Sequence, residues 1–139
     1  MGAEELRVRL DKFEVPATAW KNVRFFERSF KFSDVIKPNE VNVVDYFEVV
    51  ENFYSIAGDI KAIFDKLKNG IALINIQKKI GSSLGRGAEF GLEKARLYIA
   101  LDAGKLTIVK AKNWVDRAVN PNGRVIEFKL INGCKFQGV

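Results

Sequence analysis

The sequence predicts an α/β fold, in which parallel strands joined by a crossover helix are followed by C-terminal antiparallel β-hairpins. Two short apolar runs, residues 41–44 and 71–76, have the β-branched composition of buried parallel strands. Between them, apolar residues recur with a period of about 3.6 from residue 48 to residue 68, which indicates an amphipathic helix. A right-handed strand–helix–strand connection would make the two strands parallel neighbours.

The N-terminal residues predict a further helix. Leu6, Leu10 and Phe13 lie at helical spacing within residues 4–13, with charged residues between them. Pro16 follows, and proline is poorly tolerated inside a helix. We therefore expect a short amphipathic helix that ends before Pro16.

Three finer expectations concern the segments around the parallel strands. Residues 23–26 are apolar enough to form a short strand. Gly58 marks a kink in the long helix or a break between two helices. Gly70 lies where a glycine in the left-handed conformation commonly ends a helix.

The C-terminal third predicts a β-meander that extends the sheet. Its turns are placed by two dipeptides, Ala103-Gly104 and Asn132-Gly133. The strands predicted around them are residues 95–101, 105–112, 124–131 and 134–136.

The composition is that of a single globular domain covering residues 1–139. No apolar stretch reaches the roughly 18 residues of a membrane span, and Glu4 and Glu5 are unlike a signal peptide, so we expect a cytoplasmic protein without a membrane partner. The chain has one cysteine, Cys134, and no histidine, which excludes an intrachain disulfide and catalysis by imidazole. The net charge of +6 suits polyanionic partners, although it also serves solubility.

Two polar residues lie at the ends of the predicted parallel strands. Asp45 ends the first and Gln77 follows the second. Parallel strands end at the same edge, where open α/β sheets bind their ligands. An aspartate there can hold Mg²⁺ beside nucleotide phosphates, and alone it is also a common turn residue.

Two groups of cations follow. Between Lys78 and Arg96 there are five cations, two anions and four glycines, which predicts a mobile basic loop whose lysines could equally be a solvated face. Lys110 and Lys112 are two residues apart on a strand, so both ammonium groups point to one side. Such a pair can bind an anion, or it can protect an edge strand from pairing.

Several of these segments, in this order, resemble the C-terminal half of RecA-fold ATPases, specifically DnaB-type replicative helicases and their phage-encoded relatives. The matching segments are residues 41–46, 65–68, 71–77, 84–86, 108–113 and 122–125. The resemblance implies a partial RecA-like P-loop NTPase sheet. It also implies ATP and Mg²⁺ as cofactors, with Asp45 as the Walker B ligand of the metal and Gln77 as a sensor of the γ-phosphate.

The same resemblance implies contacts to other molecules. Single-stranded nucleic acid, DNA rather than RNA, would be contacted by Lys78, Lys79, Ser82, Ser83 and Arg86. Lys110 and Lys112 would reach the triphosphate of a neighbouring subunit in a hexameric ring or filament. The helicases usually place an arginine two residues beyond the second lysine, where this chain has Trp114; Arg117 could substitute.

The phosphate-binding motif of this family is missing, since no G-x-x-x-x-G-K-[ST] occurs. The resemblance would place that motif upstream of the first helix. We therefore expect a C-terminal fragment, the Walker B, sensor and trans-finger half of a helicase- or recombinase-type motor that does not hydrolyse ATP alone. The alternative is a non-enzymatic nucleic-acid-binding or regulatory protein on a degenerate sheet of this type.

Overall fold

The computed structural model describes residues 3–47 and 55–139. Within these ranges the helices are α1 (Ala3–Asp11) and α2 (Ser55–Lys66). Short 3-10 helices cover Ala17–Trp20, Phe32–Asp34 and Ala88–Gly91. The strands are β1 (Val41–Phe47), β2 (Ile71–Ile76), β3 (Leu97–Asp102), β4 (Lys105–Ala111), β5 (Val125–Ile131) and β6 (Lys135–Gly138). No helix among the described residues is long and apolar enough to cross a bilayer.

The predicted parallel unit is confirmed. Strands β1 and β2 are parallel, with Val41 beside Ile71 and Val44 beside Ile74, and α2 lies between them in the chain. One face of this pair packs against α2. The buried core consists of Ile36, Val44, Phe47, Ile56, Ile60 and Ile63. The isoleucines of α2 recur at helical spacing, which explains why this helix was predictable from its sequence.

Two details of the predicted helix need correction. The part predicted for residues 48–54 lies outside the described residues. A break at Gly58 is wrong, because α2 continues from Ser55 to Lys66 without interruption. Gly70 is not the C-terminal glycine of α2, which ends four residues earlier.

Gly70 is needed for a close backbone approach instead. A Cβ atom there would lie 2.5 Å from the carbonyl oxygen of Glu40 and 2.8 Å from that of Pro38. The Gly70 N–H donates a hydrogen bond to the same Pro38 oxygen at 2.8 Å. The segments that lead into β1 and β2 are therefore too close for any side chain at this position.

The C-terminal strands form an antiparallel sheet in the order β3-β4-β5-β6. The predicted hairpin turns are confirmed at Gly104 and Gly133, both with a φ of 73°, a conformation that favours glycine. This sheet is separate from the parallel pair and does not extend it. The α/β class is thus confirmed, whereas the single extended sheet is wrong.

The strand predicted for residues 23–26 is also wrong. These residues form no β-ladder, and Val23, Phe25 and Phe26 are about half exposed. Arg24 instead makes an ion pair with Glu40, next to the start of β1. An apolar run becomes a strand only when another strand offers it hydrogen-bonding partners, and none lies beside this one among the described residues.

Candidate functional site

The first candidate region is the carboxyl edge, meaning the C-terminal ends of β1 and β2. Asp45 is exposed, and its Oδ1 accepts a hydrogen bond of 2.9 Å from Nδ2 of Asn75 on the adjacent strand. The register explains the contact, because Val44 pairs with Ile74 and the next residues point to the opposite face. Asn75 was not selected from the sequence. Its signal was a polar side chain inside an otherwise apolar strand.

Gln77 follows β2 at the same edge and is exposed. Its backbone carbonyl accepts a 2.7 Å hydrogen bond from the N–H of Arg86. The partner that contacts the Asp45 carboxylate is Asn75, two residues before Gln77. The side chains of Asp45 and Gln77 are both exposed, so a ligand at this edge can reach them. A metal ligand and a phosphate sensor would need this access.

An open groove of about 820 Å³ lies beside Asp45. It is lined by Asp45 and Tyr46 of β1, Glu5 and Arg9 of α1, and residues 27–30. Arg9 is paired with Glu5 at 2.7 Å, and Arg28 lies 3.4 Å from Asp34. The groove therefore presents charges of both signs and two aromatic rings.

The donor atoms at the carboxyl edge fit only one manner of Mg²⁺ binding. No group of three or more acidic, cysteine or histidine side chains that could hold a metal is found among the described residues. Mg²⁺ is commonly bound by one or two carboxylates together with substrate phosphates. Asp45 fits that shared coordination, in which phosphate oxygens and water molecules supply the remaining ligands.

The second candidate region is the junction segment, residues 77–96, which connects the two sheets. It contains an isolated β-bridge between Lys78 and Gly85 and the 3-10 helix Ala88–Gly91, so short regular elements form despite its glycines. The N–H of Gly85 donates to the Tyr98 hydroxyl of β3 at 2.7 Å. A Cβ at Gly85 would lie 2.8 Å from Ile76, so this approach also requires glycine.

The predicted nucleic-acid residues divide into two sets. Lys78 is 14% exposed and forms an ion pair with Asp102 at the end of β3, and this hydrogen bond lowers the pKa of the Asp102 carboxyl. Ser82 is turned toward the backbone, where its hydroxyl donates to the Leu84 carbonyl at 2.9 Å. Lys79, Ser83 and Arg86 are exposed. Neither Lys79 nor Arg86 forms an ion pair with any described residue.

The third region contains Lys110 of β4 and Lys112, which lies one residue beyond the end of that strand. Lys110 is partly buried and its ammonium donates to the backbone carbonyl of Leu92 in the junction segment. Desolvation, together with the charge of Lys112, lowers the pKa of Lys110.

The two residues considered for a trans-acting finger differ in exposure. Arg117 is exposed in the connection between β4 and β5. The indole N–H of Trp114 is buried and has no hydrogen-bond partner among the described residues. Trp114 therefore does not present a polar group to a ligand.

No protein-family model, no curated protein and no solved structure matches this chain.

Proposed function

We propose that this chain binds single-stranded nucleic acid through the exposed cations of the junction segment. The observation that supports this most is the contrast between its side chains and its backbone. Lys79 and Arg86 are exposed and unpaired among the described residues, while the intervening backbone is hydrogen bonded to β3 through Gly85. A held backbone presents cations to phosphates with less loss of entropy on binding.

The proposal is tested by fluorescence anisotropy with a labelled oligothymidylate and a matched oligouridylate over a series of salt concentrations. For the double variant Lys79→Ala/Arg86→Ala, we expect at least a tenfold loss of affinity. The slope of log K against log salt should become shallower by about 1.4, because each single-strand phosphate contact contributes about 0.7.

The matched control is Lys37→Ala/Lys129→Ala, which changes the net charge equally by removing two positive charges at other positions. Both lysines are exposed, one just before β1 and the other in β5. The control should retain most of the affinity. Equal losses in the two double variants would show that only net charge matters, and an unmodified chain that does not bind would contradict the proposal.

A second candidate function is the Walker B, sensor and trans-finger part of an ATP-driven, ring- or filament-forming DNA motor. It is favoured by the parallel β1–α2–β2 connection, which leaves Asp45 and Gln77 exposed at one edge. In this candidate, Asp45 would share Mg²⁺ with ATP, and Lys110, Lys112 and Arg117 would face a neighbouring subunit's nucleotide. Either function requires access to nucleic acid, as in the cytoplasm.

The second candidate makes a distinct demand on the purified chain. Without a phosphate-binding motif in the sequence, we expect no ATP turnover above background. If the chain hydrolyses ATP and the Asp45→Asn variant does not, the chain binds the phosphates itself. That result would contradict the expectation that another polypeptide segment supplies the phosphate-binding motif.

A further inference from the structure

Residues 21–31, the basic–aromatic segment, combine two kinds of side chain that bind nucleic acid. The segment contains three phenylalanines and four cations, and Glu27 is the only acidic residue among them. The phenylalanines are exposed, at 51% for Phe25, 54% for Phe26 and 69% for Phe30. Three rings this exposed within six residues contribute little to the core and are accessible to a ligand.

The cations of the segment have few competing partners. Arg24 is paired with Glu40, and Arg28 makes two long contacts, 3.4 Å to the Asp34 carboxylate and 3.3 Å to the Lys31 carbonyl. Lys21 and Lys31 are exposed and form no ion pair with a described residue. These two lysines are available to an anionic ligand, and the long contacts of Arg28 can be exchanged for a phosphate.

The segment also forms one wall of the groove beside Asp45. Arg28 and Phe30 line this groove together with Tyr46, whose ring is 44% exposed. Of the three acidic groups there, Glu5 is paired with Arg9, Asp45 accepts a hydrogen bond from Asn75, and Glu27 is exposed. An aromatic ring and a cation therefore lie together on an open surface.

We infer that the basic–aromatic segment is a second contact for single-stranded nucleic acid, in which Phe25, Phe26 and Phe30 stack on bases while Lys21, Arg28 and Lys31 neutralise phosphates. Every base offers a face on which a ring can stack, and every phosphate carries a charge that a cation can neutralise, so a segment with both kinds of side chain can bind a single strand. This inference rests on the proposed function and adds base stacking to it. The segment includes residues 23–26, for which the sequence had predicted a strand.

The test uses the full chain and two leucine substitutions, Phe25→Leu/Phe30→Leu, which keep the apolar volume and remove the π face. We expect at least a tenfold loss of affinity for oligothymidylate, since each stacked base contributes roughly 5- to 100-fold. The salt slope should not change, because no phosphate contact is lost. Phe136→Leu, at a ring that is 62% exposed on β6, is the matched control and should bind like the unmodified chain.

An oligonucleotide of abasic sites, which keeps the phosphates and lacks the bases, provides the second measurement. The unmodified chain should bind it at least tenfold more weakly than oligothymidylate, and the leucine variant should lose nothing further. Unchanged affinity of the leucine variant, with the Lys79→Ala/Arg86→Ala loss intact, would overturn this inference and leave the proposed function standing. Absence of binding by the unmodified chain would overturn both.

A protein partner is the competing explanation for exposed rings. Sedimentation velocity distinguishes it when the partner is a second copy of this chain. If the leucine substitutions convert a dimer to a monomer without changing oligonucleotide affinity, the surface is a subunit interface and the inference is wrong.

Discussion

The parallel unit and the antiparallel sheet differ in where their apolar residues lie. The core cluster formed by Ile36, β1 and α2 contains all the buried apolar residues of the described chain except Ala100. In the antiparallel sheet, β5 and β6 have no buried residue, and Leu97, Leu101 and Leu130 are about half exposed. Burial of apolar residues therefore stabilises the parallel unit, whereas hairpin hydrogen bonds and turns stabilise the antiparallel sheet.

Among the described residues, the parallel unit is covered on one face only. Val41, Val43, Ile71 and Leu73 are between 55% and 68% exposed, and they alternate along the strands with residues in or against the core, such as Val44, Ala72 and Ile74. Parallel sheets in proteins usually have both faces covered by other elements. The unit therefore draws its stability from the α2 face, and substitutions there should have the largest consequences.

The largest expected effect is a substitution in the α2 core. Ile56 and Ile63 are at most 1% exposed, so Ile56→Ala or Ile63→Ala should lower the free energy of unfolding. The expected loss is about 2–5 kcal/mol, from lost burial and a residual cavity. Urea denaturation followed by circular dichroism measures it.

The matching substitution in the antiparallel sheet is Leu101→Ala, at a side chain that is 50% exposed. Its cost should be about 1 kcal/mol or less, because half of the side chain is already in water. Equal costs at both sites would show that the two regions share one core after all.

The next effect in size comes from two glycines of the parallel unit. Gly70→Ala places a Cβ against the backbone oxygens of Glu40 and Pro38 and should cost about 1–3 kcal/mol. Gly58→Ala is the control, because nothing lies within 4 Å of its added Cβ in α2. It should stabilise the chain by about 0.5–1 kcal/mol through helix propensity. Thermal unfolding of both variants compares them, and a tolerated Gly70→Ala would contradict the close approach.

The smallest expected effect concerns the contact between the antiparallel sheet and the junction segment. The pKa of Lys110 in the folded chain is below its ordinary value of 10.5, chiefly because of desolvation. Between the folded pKa and 10.5 the unfolded chain binds more protons, so stability should rise with pH in that interval. Replacing Lys110 by Met should remove this rise.

Denaturant titrations at a series of alkaline pH values measure the effect as the difference between the unmodified chain and the variant. Lys129→Met, at an exposed position in β5, is the control and should leave the rise in place. If the stability of the Lys110→Met variant rises equally with pH, the rise comes from the titration of groups other than Lys110.

Some features of the candidate site were predictable from local sequence patterns, and others were not. The apolar run correctly predicted β1, although the strand does not end at Asp45 and continues to Phe47, and the parallel connection brought β2 beside it. The partner of the Asp45 carboxylate could not be predicted, because Asn75 rather than Gln77 is selected by strand register. Likewise, the sequence predicted a free cation at Lys78, whereas the fold brings Asp102 close enough to form an ion pair with it.

Local patterns were enough to predict helices α1 and α2, the strands from β1 to β6, the hairpin turns and the parallel connection, since each depends on periodicity or turn residues within a short stretch. Long-range packing determines that the strands divide into two sheets, that residues 23–26 stay outside any β-ladder, and that Gly70 is needed for close approach. These outcomes depend on partners distant in the chain, and local patterns carry no information about which distant groups will meet.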